Sequence, residues 1–239
     1  MNLGPFTTLD LIGMAVFLAC NAGYAIVVDR TAAVRRRSVL AAMDAWRLRW
    51  LRQAASRENR IVDSQIVTSL SRSVQFFATT TIFIIGGLVA MLGAGERVLN
   101  VVAELPFAAP PHPVRFEVQL IALAVMFVYS FFRLTWALRQ FNYAAIAIGA
   151  IPDARDADRA QEAMAIAEVA AGVANRGAFH LTGGIRAYYF GVALLAWLIH
   201  PVALTLASLW VVVVLYRREF RSAVLAALGH DVRNPLTGR

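Results

Sequence analysis

Thirty consecutive residues, 187–216, contain no Asp, Glu, Lys or Arg, and His200-Pro201 is the sole interruption of their apolar character. A helix needs about 20 apolar residues to cross ~30 Å of hydrocarbon, so a stretch of this length constrains the chain to a bilayer. Three further stretches meet the same requirement, at about 9–28, 74–92 and 118–138. Lipid offers the backbone no hydrogen-bonding partners, which leaves helices or closed barrels. No ~10-residue alternation of a barrel is present. Composition agrees: 59% of the 239 residues are hydrophobic and 16% charged, against about 45–50% and about 25% in soluble domains. The expectation is an all-α integral membrane protein with four hydrophobic helices, the fourth kinked or re-entrant at His200-Pro201.

The first stretch is too long for a signal-peptide core and has no basic segment before it, so it is read as retained. Between 31 and 56 there is no Gly or Pro. Leu40, Met43, Trp46, Trp50 and Leu51 fall at helical spacing there, which predicts a long basic helical hairpin joining the first two spans. Gly149 and Pro152 end the third helix, and Asp153 is the expected cap of a small amphipathic helix over 154–175, stopped at Asn175-Arg176-Gly177. No internal repeat divides the chain, so 1–228 is taken as a single membrane domain and 229–239 as a short tail.

Arginine asymmetry sets the expected orientation. Residues 29–73 carry ten arginines, the first eight residues none, and 96–116 only Arg97 and Arg115. Positive-inside counting puts the N-terminus outside, with 29–73 and 140–185 in the cytoplasm of a bacterial inner membrane. Arg217, Arg218 and Arg221 resist this scheme, because a fourth crossing would place them outside.

Candidate functional residues are few. Arg35, Arg36, Arg37, Arg47, Arg49 and Arg52, with Trp46 and Trp50, form a basic, aromatic face suited to anionic lipid. The competing reading is a solvated loop that only sets topology. His200, Asp10 and Asn21 are polar groups in apolar segments and form the transport candidates. Against them, His200 can bond backbone freed at the Pro201 kink, Asp10 can lie at the interface, and Asn21 can bond between helices. The run 230–236 (HDVRNPL) resembles the phospho-acceptor box of sensor histidine kinases, which would make His230 phosphorylatable. The dimerisation and ATP-binding parts of a kinase are missing, so coincidence is the stronger reading. One cysteine, Cys20, and no Cys/His ligand spacing mean that no metal or other cofactor is expected.

Residues 58–65 (ENRIVDSQ), 73–80 (SVQFFATT), 132–143 (FRLTWALRQFNY), 149–152 (GAIP), 186–189 (RAYY), 197–201 (WLIHP) and 215–220 (LYRREF) carry a wider resemblance. Over about 5–228 the chain resembles a family of bacterial and plant multi-pass membrane proteins known as a domain of unknown function. The resemblance implies a roughly four-helix membrane fold and brings no catalytic residues with it.

The resulting expectation is a non-catalytic accessory or assembly partner of a larger membrane complex. It would dock through extended helices and anionic lipid, with other membrane-protein subunits or copies of itself as partners and no nucleic acid. A small homo-oligomeric transporter or channel is the second reading, and a membrane enzyme or phospho-relay through His230 or His180 the third.

Overall fold

The computed structural model describes residues 4–104 and 112–233, with the backbone alone at 96, 102, 103 and 229–233. Helices account for nearly all of it, and no extended strand occurs among the described residues. In chain order they are α1 (Thr8–Arg30), α2 (Ala32–Arg35), α3 (Val39–Ala55), α4 (Ile61–Gly93), α5 (Gly95–Ala103), α6 (Pro113–Gly149), α7 (Ala160–Leu195), α8 (Pro201–Phe220) and α9 (Ala223–Arg233). Short 3-10 turns at Ala157–Arg159 and Ala196–Leu198 flank α7.

Local chemistry explains where these helices begin. At α1 the Thr7 hydroxyl accepts from the Asp10 amide at 3.2 Å, and the Asp10 carboxylate accepts from the Thr7 amide at 2.9 Å, a reciprocal cap. Ser38 caps α3 by accepting from the Ala41 amide at 3.1 Å. Pro201 opens α8 where its missing N–H costs nothing, and the His200 imidazole Nδ1 accepts from the Val202 amide at 3.1 Å.

Five helical stretches, not four, are long and apolar enough to cross a membrane: Thr8–Arg30, Ile61–Gly93, Pro113–Gly149, Ala157–Leu198 and Pro201–Leu228. This corrects the fourth hydrophobic segment. The amphipathic helix expected over 154–175 does not stop at Gly177 but continues to Leu195 as α7. His200-Pro201 therefore separates two long helices and does not kink one. The start also differs from expectation. Asp153 holds a turn before α7, accepting from the amide and guanidinium of Arg155 at 3.0–3.1 Å. That guanidinium holds the Asp153 carboxyl down to about 2.

Gly177 does not end the helix because its missing side chain is a packing feature. A Cβ there would stand 3.2 Å from the Phe141 ring of α6, and one at Gly184 would meet Leu134 at 2.8 Å. Small residues let helix backbones approach closely where lipid supplies no drive for association.

The chain divides into two compact units. The first comprises Met1–Arg35, Thr80–Phe131 and Ile185–Arg218. Its core includes Phe17, Leu120, Leu123, Phe127, Phe190 and Trp197, with Phe17 and Phe190 edge to face at 5.8 Å. The second comprises Arg36–Thr79, Phe132–Gly184 and Glu219–Arg239. Leu51, Val67, Ile148 and Ile151 form its core with an alanine stripe at 163, 167, 170 and 171, the spacing of one helix face. Within this unit α3 packs against α9, and the Glu219 carboxylate accepts from the Leu40 amide at 3.1 Å.

The glycines of α7 supply a direct test. Gly184→Val should destabilise the detergent-solubilised protein by about 1–3 kcal/mol through overpacking. Gly172→Ala, where nothing lies within 4 Å of a built Cβ, should be neutral or stabilising by up to about 1 kcal/mol. Thermal unfolding checks both, and equal Tm values for the two variants would contradict the close approach.

Candidate functional site

In the first unit the polar groups are paired with one another. Asp10 is 1% exposed. One carboxylate oxygen accepts from the Trp197 indole at 2.8 Å, the other from the Thr7 hydroxyl at 2.7 Å, and Arg115 lies 3.8 Å away. Gln119 donates to the Trp197 carbonyl at 2.9 Å. Arg186 grips Asp29 through two bonds, of 2.6 and 3.2 Å, and stands over the Tyr24 ring. The Tyr188 and Thr81 hydroxyls bond at 2.6 Å, and Arg218 meets the Tyr189 hydroxyl. Polar side chains along apolar helices thus close on partners, as a low-dielectric setting demands.

Among the described residues no hydrogen bond or ion pair joins the three transport candidates. Asp10 is held by Thr7, Trp197 and Arg115, while His200 caps α8. Asn21 lies eleven residues beyond Asp10 on the same helix, about 16 Å along its axis, too far to share an ion.

The residues of the basic hairpin meet several fates. Arg47 donates to Asn175 at 2.7 Å and Asp44 at 2.6 Å, and Arg52 pairs with Glu168 at 2.6 Å. The Trp50 indole donates to Asp63 at 2.6 Å, and Arg57 pairs with the same oxygen at 2.6 Å. Asp63 is fully buried. Arg49 stacks over the Trp46 ring at 5.1 Å, while the Trp46 indole nitrogen is buried. Arg35, Arg36 and Arg37 are exposed. The side chain of His230 lies outside the described residues, as does the rest of its box.

Nearby, Arg60 spends all three guanidinium nitrogens on carbonyls: Ala54 at 3.1 Å, Ile151 at 3.0 Å and Pro152 at 2.6 Å. No carboxylate forms an ion pair with it among the described residues, though its charge acts on Asp153. Arg60 also lines a groove of about 610 Å³ between α4 and α6. On the α4 side Ser64, Thr68, Ser71, Arg72 and Gln75 line it, and on the α6 side Asn142, Ala145 and Gly149. Its volume falls within the roughly 300–1,000 Å³ of small-ligand sites. No carboxylate lines it. Sequence reasoning missed this groove, although the polar residues at 60, 64, 68, 71, 72 and 75 recur at helical spacing and could have marked the face.

Asp10→Ala removes the acceptor for Trp197 and the charge beside Arg115, so it should destabilise the protein by about 3–5 kcal/mol. Asp10→Asn, which keeps one acceptor oxygen, should recover part of that loss. Thermal unfolding in detergent reads both, and an Ala variant as stable as the parent would refute the assignment.

The model of the family described as "Protein of unknown function, DUF599" matches residues 12–224. No curated protein and no solved structure matches. That match covers most of a chain with five apolar helices of spanning length, and the chain belongs to the DUF599 family of proteins of unknown function.

Proposed function

We propose that this protein is a non-catalytic accessory or assembly partner of a larger complex in the bacterial inner membrane, docking through its extended helices and anionic lipid. The observation that carries this reading is the excess length of its helices. At 1.5 Å per residue, the 33, 37 and 36 residues of α4, α6 and α7 run about 50–55 Å, against ~30 Å of hydrocarbon. Each contributes one stretch to each compact unit. The second unit has its own core and ion pairs, which makes it a preformed body and not a set of loops. A rigid surface of that kind suits docking, because little ordering entropy is lost on association. Exposed apolar side chains such as Phe83 (75%) and Trp210 (66%) supply contact area for lipid or for neighbouring helices.

The orientation proposed has the N-terminus outside and the arginine-rich 29–73 segment in the cytoplasm. Five crossings also support it, because they bring Arg217, Arg218 and Arg221 to the arginine-rich side. In a Cys20→Ser background, Ser222→Cys should resist a membrane-impermeant thiol reagent in spheroplasts and react after permeabilisation. Labelling of intact spheroplasts would reverse the C-terminal placement.

The role itself is tested by extracting the tagged protein from its native membrane in mild detergent, followed by native sizing and mass spectrometry. Stoichiometric companion subunits are the expected result. A lipid-only monomer, or a clean homo-oligomer without companions, would overturn the accessory role.

A further inference from the structure

The groove between α4 and α6 has the chemistry of an anion site. Arg60 and Arg72 both line it, twelve residues apart, or about 18 Å along the helix axis. Arg60 is fixed by its three carbonyl acceptors, so its positive charge is held in place at no further conformational cost. Around Arg72, the Ser71 hydroxyl and the Gln75 and Asn142 amides all face the groove. None of these four has a hydrogen-bonding partner among the described residues. The result is two cations and several unused donors with no carboxylate in the wall, and Ile148 and Val67 supply an apolar, buried floor.

Position narrows the ligand. Arg72 and Gln75 flank the start of the apolar run at about residue 74, which is headgroup depth if that run fills the hydrocarbon. Phe76 (67% exposed) and Ile146 (71%) directly follow groove residues on their helices and offer apolar surface for an acyl chain.

We infer that this groove binds a phosphate-bearing anion of headgroup size, with the phosphate at Arg72, Gln75 and Asn142. An anionic phospholipid and free phosphate share that chemistry. The site uses none of the residues 35–52 named for the basic, aromatic face and does not depend on the accessory role, since lipid occupancy is read on the isolated protein.

The test is native mass spectrometry and calorimetry of the detergent-purified full chain, titrated with short-chain phosphatidylglycerol, short-chain phosphatidylcholine or inorganic phosphate. Phosphatidylglycerol should bind more tightly than phosphatidylcholine. Arg72→Gln should weaken it about fivefold or more, the scale of one arginine near an anionic surface. Asn142→Asp, which sets a carboxylate opposite the phosphate, should do the same, while Arg159→Gln, at an exposed arginine paired with Glu162, should leave it unchanged. Competition by inorganic phosphate with the same Arg72 dependence would identify free phosphate as the source, and its absence would identify the lipid. Equal binding of the two lipids, or equal losses in the groove variants and the Arg159 control, would overturn the inference.

Discussion

One guanidinium holds together the backbone ends of the second unit. Helices finish with carbonyls that no intrahelical N–H can reach, and the helix dipole concentrates negative potential there. Arg60 answers three such groups at once, one at the end of α3 and two just past α6. A hydrogen bond involving a charged donor contributes about 1.5–3 kcal/mol, and three that share one rigid fork also fix direction. The Arg57–Asp63–Trp50 cluster and the alanine face of α7 pack around the geometry this creates. The same side chain borders the α4/α6 groove, so the element that fastens the helix ends also charges the cavity beside them.

The first unit obeys a related constraint with different groups. Asp10, Arg186, Gln119 and Thr81 are almost fully removed from solvent. Each is spent on a partner from another helix or turn: Trp197, Asp29, the Trp197 carbonyl and Tyr188. Several of these belong to the segments that carry the family resemblance, notably 186–189 and 197–201. Their work in this chain is to lock helices.

Four of the five apolar helices were legible from hydropathy because they expose most of their length. Only 17% of the most apolar stretch of α1 or α4 is buried. The α7 stretch escaped for the opposite reason. Half of its most apolar stretch is buried, and its polar residues have protein partners: Asn175 receives Arg47, and Arg186 reaches Asp29. A helix that faces protein can carry charge that a lipid-facing one cannot, so its mean hydropathy sinks towards that of a soluble helix. Gly177 misled for a related reason, since its meaning as a packing surface depends on the Phe141 ring of α6.

By itself, the sequence determined that this is a helical membrane chain with an arginine-rich segment between its first two spans, because bilayer thickness and backbone hydrogen bonding leave few alternatives for long apolar runs. Only the tertiary structure decided that 157–198 is a fifth long helix, that Asp10 and His200 are spent on capping and pairing, and that Arg60 and Arg72 border a common groove. Those outcomes depend on which groups meet across helices. Residues as far apart as Arg60 and Ile151 become partners through packing, and no local pattern encodes that distance.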